Sequence, residues 1–470
     1  MTNGWTDVAN ADVILVMGGN PAENHPVGFR FAMEAKRSRK AKLITIDPRF
    51  NRTAAVSDVY VPIRAGTDIA FLGGLLHYAL THDKYQRDYV KAHTNASFLI
   101  KEGYAFNEGL FSGWDEAKKT YDKTTWGYEI EGASGFVKVD ESLEHPRSVF
   151  QLMKAHYARY TPEMVASICG CTAADFEKAA EVICSTGTAD RQGTILYALG
   201  WTQHSHSVQL IHTAAMLQLM LGNIGMPGGG VNAQRGHSNI QGATDMGAWN
   251  MLPGYLRLPR ANQTDLKTYL EQTTPKPLRP NSMNYSSNNP KFVTSLLKAY
   301  YGAKATKANN FGYDNLPKLG EADNFSWGYI FDRMYSGGFE GLMAFGMNPV
   351  ANGPNTPKML AALGKLKWLI VADCFETETA SFWKARDLAG QYYASAPDAA
   401  AIDTEVFLLP AACFAEKDGA FVNSSRWVQW KYAAVEPPGQ AWRTRTSLPA
   451  CFSGFASCMK QKEEPRRKRC

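Results

Sequence analysis

VILVMGGNPAENHPVGFR, residues 13–30, sets the architecture of this 470-residue chain. Residues 13–17 form a short, uniformly apolar run that ends in Gly18, Gly19 and Asn20, the pattern of a buried parallel strand entering a loop. Pro26 then opens a helix to about Arg37, with Phe29, Ala32, Met33 and Lys36 at helical spacing. The flanking sequence repeats this alternation. KLITIDPR (42–49) reads as a second strand with Asp47 and Arg49 at its end. DVYVPIRAGTD (58–68) is a third, running into Gly66, Thr67 and Asp68 ahead of a helix from Ile69 to about Thr81. TPEMVASICG (161–170) and TAADFEKAAEVICSTG (172–187) each begin with a Thr cap. TILYALGW (194–201) is another buried strand, followed by Trp201, Thr202, Gln203 and His204, and VQLIHTAAMLQLMLGNIG (208–225) is a long apolar helix. Alternating strands and helices with polar residues at the strand ends imply a doubly wound sheet, in which ligands sit beyond the carboxyl ends of the strands.

Residues 82–160 are polar and aromatic-rich and read as an irregular surface excursion. Residues 252–335 read as irregular chain with short helices. A second α/β pattern then begins: a strand and loop at 341–350, a helix at 354–366, and strands at 367–373 and 404–410. The expected fold is therefore α/β, with two doubly wound, Rossmann-like domains of mainly parallel sheet. The first is expected over 1–237 and the second, incomplete, over 238–440, followed by an aberrant basic tail at 441–470. That tail explains the charge. Residues 443–470 hold eight Lys/Arg against two Glu, equal to the whole net charge of +6, so the body of the chain is neutral and no nucleic-acid partner is expected. No apolar run reaches the roughly 18 residues that span a bilayer, and no export signal is visible at the start. The eight cysteines include no C-x2-C pair suited to zinc or an iron–sulfur cluster, and most read as small buried hydrophobes.

GNIGMPGGGVNAQRGHSNIQGATDMG (222–247) carries eight glycines in 26 positions, too many for a regular helix or strand interior. Such a loop can lay bare backbone against a ligand while Asn232, Gln234, Arg235, His237, Asn239 and Gln241 offer donors. It matches no phosphate-binding glycine pattern, so a long surface loop is the plainer reading of its composition. One Arg among uncharged donors favours a site for a large polar cofactor with a small anion. A conventional NAD dehydrogenase is disfavoured, since no G-x-G-x-x-G is present.

GVNAQRGHSNIQGATDMG (230–247) resembles the substrate loop of the molybdenum or tungsten bis(pterin guanine dinucleotide) formate dehydrogenases. The likeness is strongest to the large catalytic subunit of the respiratory, membrane-associated type. VILVMGGNPAENHPVGFR, LITIDPRFNRTA (43–54), VPIRAGTD (61–68), YALGWTQHS (197–205) and CFAEKDGAFVNSSRW (413–427) occur in the family's order, so the resemblance covers residues 1 to about 440. It implies that Arg235 orients formate, a planar anion matched by a guanidinium fork. It implies that Asn20, Asp47, Arg49, Gly66, Asp68, Gly200, Trp201, Gln203 and His204 line one pterin dinucleotide, joined by Gly236, Asn239 and Gln241 from the loop. Asn348, Glu376, Thr377, Glu416, Asn423 and Arg426 fall where the family faces the other dinucleotide or the cavity rim; the family usually has Gly where this chain has Ser425.

Read singly, Asp47 before Pro48 is a turn residue, Asp68 a helix cap, and Arg235 an Arg that ties its loop to carbonyls or a phosphate. His25, His206 and His237 are each weighed as proton relays against the commoner structural histidine. The resemblance also implies an iron–sulfur electron-transfer subunit, a membrane cytochrome b subunit and a periplasmic, membrane-associated location. The family's [4Fe–4S] segment, its selenocysteine or cysteine metal ligand and its closing β-barrel domain have no counterpart here. The expectation is a central piece of a catalytic subunit, split where a selenocysteine codon is read as stop. The rival readings are another molybdopterin reductase and a non-catalytic pterin-binding fragment.

Overall fold

A computed structural model describes residues 1–107, 109–247, 251–280, 282–320, 324–385 and 398–441. The expected basic tail lies outside the described residues from 442 onward. The described residues form two compact units: those within 1–258, 263–316 and 422–428 in one, and those within 259–262, 317–421 and 429–441 in the other.

The first unit is built on a five-stranded sheet. Its strands are β1 (Val13–Met17), β2 (Lys42–Ile46), β3 (Val59–Val61), β4 (Gly193–Tyr197) and β5 (Val231–Ala233), in the order β3-β2-β1-β4-β5. Every pairing is parallel. The alternation of side chains along β1 sorts them between two cores. Ile14 and Val16 pack with Phe29, Ala32 and Ala35 of helix α1 (Pro26–Arg39). Val13, Leu15 and Met17 pack on the other face with Phe71, Leu72, Leu75 and Leu76 of α2 (Asp68–Thr81). Helices thus cover both faces, as the uniformly apolar strands require. Met33 of α1, at helical spacing with Phe29, is 37% exposed; Ala35 takes the buried position.

α3 (Pro162–Cys169) and α4 (Ala173–Cys184) begin at Thr161 and Thr172, whose hydroxyls accept from the amides of Met164 (3.3 Å) and Asp175 (3.0 Å). α5 (Ser207–Met220) lies against α2 and carries the chain into β5. Two expectations need correction. The 82–160 excursion includes helices Arg87–His93 and Val149–Tyr157, the latter capped by Ser148, whose hydroxyl accepts from the Gln151 amide at 3.2 Å. The glycine-rich stretch 222–247 is not all loop. Val231–Ala233 is a buried strand whose backbone groups pair with β4, because the glycines flank it rather than interrupt it.

The second unit holds a parallel three-stranded sheet of β6 (Gly341–Phe345), β7 (Trp368–Asp373) and β8 (Glu405–Pro410), in that order. Helix α6 (Thr356–Leu363) buries Met359, Leu360, Ala362 and Leu363 against it.

Candidate functional site

The chain leaves β1 toward β2 and β3 on one side and returns to β4 and β5 on the other, so the sheet's topological switch lies between β1 and β4. There the loops diverge and leave a crevice at the carboxyl ends of the strands. A cleft of about 590 Å³ occupies that place, and all five strands contribute to its lining. Gly18, Gly19, Asn20, Asn24 and His25 follow β1; Asp47, Pro48, Arg49 and Asn51 follow β2. Ala65, Gly66 and Asp68 follow β3; Ala198, Leu199, Gly200 and His204 follow β4; Gln234 and Gly236 follow β5.

The inner wall is backbone. Ala198 and Gly200 both donate their amides to the Gly18 carbonyl at 3.0 Å, which brings the β1 and β4 loops into contact. Gly18 has φ +75°, and a Cβ there would lie 2.4 Å from Trp201 Cδ1, so only glycine fits. Trp201 is fully buried beneath this wall. Its ring stacks on Tyr197 at 5.0 Å, and its Nε1–H donates to Asp68 Oδ1 at 3.1 Å. Asp68 is the first residue of α2 and is 6% exposed. Burial pushes its carboxyl above the ordinary range, against the pull of its own amide, the His204 charge and the Trp201 donor. Burial likewise raises Asp47, opposed by the Arg49 amide (2.8 Å) and the Arg49 charge.

Asn20 is clamped. Its Oδ1 accepts from the Thr53 hydroxyl at 2.8 Å, its Nδ2 donates to Glu23, and the Thr53 hydroxyl accepts from the Ala22 amide at 3.1 Å. The second unit repeats this clamp after its own first strand. Asn348 Oδ1 accepts from the Thr379 hydroxyl at 2.7 Å, Asn348 Nδ2 donates to Glu378, and the Thr379 hydroxyl accepts from the Val350 amide at 3.2 Å. Each Asn precedes a Pro at the first position of a one-turn helix, Pro21–Asn24 and Pro349–Asn352.

The loop after β5 is tied by its backbone. The Arg235 amide donates to Ser424 Oγ at 2.8 Å, and the Arg235 carbonyl pairs with His25 Nε2 at 3.0 Å. Since a carbonyl only accepts, His25 Nε2 is the donor of this bond. The His25 Nδ1 is buried without a partner. The Arg235 guanidinium is exposed and makes no hydrogen bond or ion pair among the described residues. Farther along, Asn239 Oδ1 accepts from the Val422 amide at 3.0 Å, and Gln241 Oε1 and Asn423 Oδ1 are buried without partners.

The structure therefore brings Asn20, Asp47, Arg49, Gly66, Asp68, Gly200, His204 and Gly236 into one cleft. Trp201 lies below it as the partner of Asp68, and Gln203 is exposed outside it. Arg235 and Asn239 are hydrogen-bonded to Ser424 and Val422 of the 422–428 segment, which carries Asn423 and Arg426; Gln241 follows on the same loop as Asn239. Asn232, named above as a donor to a ligand, is fully buried. Its amide donates to Thr194 Oγ1 at 2.7 Å, and its Oδ1 accepts from the Asn3 amide at 3.0 Å, because it points back under the strand. In the second unit Asn348 is held as described, Glu376 pairs with Lys384, and Glu416 Oε2 accepts from the Cys413 amide at 2.9 Å. The sequence reading passed over Gly18, Gly19, Asn24 and Asn51 as lining residues. The Gly18-Gly19 pair at the end of an apolar strand was the available signal. Among the described residues no three His, Cys, Asp or Glu side chains converge as metal ligands, and no helix is long and apolar enough to cross a membrane.

Residues 1–383 match the Molybdopterin oxidoreductase family. Over 442 residues the chain is 51% identical to the major subunit of the nitrate-inducible formate dehydrogenase of Escherichia coli K12, covering 94% of this chain and 43% of that protein. It is 51% identical over 453 residues to the formate dehydrogenase-O major subunit of the same organism, covering 96% and 44%. To formate dehydrogenase 2 subunit alpha (cytochrome c-553) of Nitratidesulfovibrio vulgaris it is 46% identical over 442 residues, covering 94% and 42%. Among solved structures, acetylene hydratase from Pelobacter acetylenicus superposes with a TM-score of 0.50 at 16% identity, over 94% of this chain and 48% of that one, a likeness of fold alone. The chain spans less than half the length of these relatives.

Proposed function

The chain belongs to the molybdopterin oxidoreductase family, and on that premise we propose that it binds and orients formate in a formate dehydrogenase that oxidises formate to CO2, two electrons and a proton. The observation that carries this reading is the Arg235 guanidinium. It is exposed and unpaired among the described residues, on a loop whose neighbours Gln234 and Gly236 line the cleft. A guanidinium with two parallel N–H groups matches a carboxylate anion in plane. The names of the relatives, at 46–51% identity, supply the substrate.

A pterin guanine dinucleotide carrying molybdenum or tungsten fits the residues present. The cleft walls are bare backbone at Gly18, Gly19, Gly66 and Gly200, and buried polar atoms on His25 and Gln234 have no protein partner. In this reading Asp47 or Asp68 accepts from the guanine N–H edge, Arg49 faces the pyrophosphate, and Asn20 shapes the turn against it. The matching Asn348 clamp supports a second dinucleotide held by the second unit, which also carries Glu416. When bound, the metal–pterin group takes up the two electrons. An iron–sulfur electron-transfer subunit, a membrane cytochrome b subunit and a periplasmic location complete the proposal, with a [4Fe–4S] cluster expected in the N-terminal part of the catalytic subunit.

The test is Arg235→Lys in the assembled enzyme. Losing one of two charged hydrogen bonds, each worth roughly 1.5–3 kcal/mol, should lower kcat/KM by about 10- to 150-fold. Metal and pterin content should stay at the wild-type level, because backbone groups rather than the guanidinium tie the loop. Loss of metal in proportion to rate would remove Arg235 from the substrate site.

A further inference from the structure

Gln234 is 3% exposed, yet neither Oε1 nor Nε2 of its carboxamide has a hydrogen-bond partner. The position is firmly built. Its amide donates to the Tyr197 carbonyl at 2.7 Å, where β5 leaves β4, and its Oε1 lies 3.4 Å from where a Cβ on Gly19 would stand. The side chain lines the cleft beside Gly19, Ala198 and His204. A buried amide left wholly unpaired is a standing cost to the folded protein, and nearly all such groups find partners. Both atoms are orphaned, so the carboxamide is unpaired whichever way the amide is turned.

We infer that Gln234 pairs through its carboxamide with the 2-amino-4-oxopyrimidine edge shared by pterin and guanine rings, and so is a ligand-positioning residue of this cleft. That edge sets a carbonyl acceptor beside an N–H donor, the complement of a carboxamide. A phosphate, which only accepts, would satisfy Nε2 and leave Oε1 unpaired. The inference rests on the cleft being a pterin dinucleotide site, and the experiment separates the two claims.

Gln234→Leu and Gln234→Met are each made in the full chain, purified both from a host that makes the pterin cofactor and from one that does not. Three quantities are read: the melting temperature of the cofactor-free protein, the fluorescent pterin retained per chain after dialysis, and GDP binding by calorimetry with ADP as control. Removing an unpaired amide should leave the cofactor-free melting temperature unchanged or higher. Losing two neutral hydrogen bonds should weaken retention by about 5- to 30-fold. A matching loss of GDP affinity assigns the partner as guanine; lost pterin retention with unchanged GDP binding assigns it as the pterin ring. Wild-type retention and GDP binding in both variants, or a clear drop in their cofactor-free melting temperature, overturns the role of Gln234 alone. If the wild-type chain itself retains no pterin from the cofactor-making host, the pterin-site reading fails and this inference with it.

Discussion

Trp201 Nε1 donates to Asp68 Oδ1 at 3.1 Å across 133 positions of sequence, and this bond fixes the floor of the cleft. It joins the segment after β4 to the first turn of α2. It also gives a buried carboxyl an indole donor rather than a cation, so the acid is held in place without being neutralised by a fixed charge.

The first prediction follows from the sign of the Asp68 shift. Its carboxyl is raised from 3.8 by burial, so the folded chain keeps a proton that the unfolded chain releases. The stability this contributes is complete below 3.8 and is lost as pH rises through the folded pKa. Asp68→Asn keeps an oxygen for Trp201 and removes the titration. Denaturation midpoints at about pH 4 and about pH 7 should shift in favour of the variant at the higher pH. Asp47 has the same sign and remains in both proteins; parallel midpoints in variant and wild type would show that Asp68 does not contribute.

Gly18 and Gly66 separate steric from backbone cost. Both have positive φ, +75° and +87°, but a Cβ at Gly18 meets Trp201 at 2.4 Å while at Gly66 it meets open space. Gly66→Ala should cost about 1–2 kcal/mol for the left-handed backbone alone. Gly18→Ala adds overpacking of about 1–3 kcal/mol. Urea denaturation of the two variants should place Gly18→Ala clearly lower.

Asn223 anchors the entry to the glycine-rich stretch. Fully buried, it accepts from the Gly193 amide at 3.0 Å and donates to Thr186 Oγ1 (3.0 Å) and Gln218 Oε1 (2.8 Å), while Gln218 Nε2 bonds the carbonyls of Gly193 and Gly230. Asn223→Ala strips three bonds and strands buried partners, so a loss of about 3 kcal/mol or more is expected. A denaturation midpoint within experimental error of wild type would show that water replaces the side chain.

Thiol reactivity should follow burial. Burial pushes Cys184 up to about 12 and Cys169 up to about 11; burial first and then the Asp373 charge raise Cys374 as well, but Cys374 is exposed. Since the thiolate is the reactive form, iodoacetamide on the native protein at about pH 8 should label Cys374 and spare the other two until denaturant is added. Peptide mass spectrometry reads the order directly. Early labelling of Cys184 would mean that the packing of α4 on α2 opens readily.

By itself the sequence determined the parallel sheet and most of the cleft's chemistry. Apolar runs ending in Gly, Asn, Asp and Arg are local patterns, and a doubly wound sheet places every such end on the same side. The Thr161 and Thr172 caps were legible for the same reason, since a cap bonds within one turn of itself. Tertiary structure alone decided which strand-end residues face the ligand. Gln234 and Asn232 lie two apart, yet one opens into the cleft and the other is spent on Thr194 and Asn3, because the chain turns out of the sheet between them. The same holds for Gly200 and Trp201, wall and floor of one cleft. Tertiary structure also decided that residues 422–428 lie against Arg235 and Asn239, within the first unit. No local periodicity encodes a contact between segments nearly 190 residues apart; it exists only once the chain has folded and brought the two segments within hydrogen-bond reach.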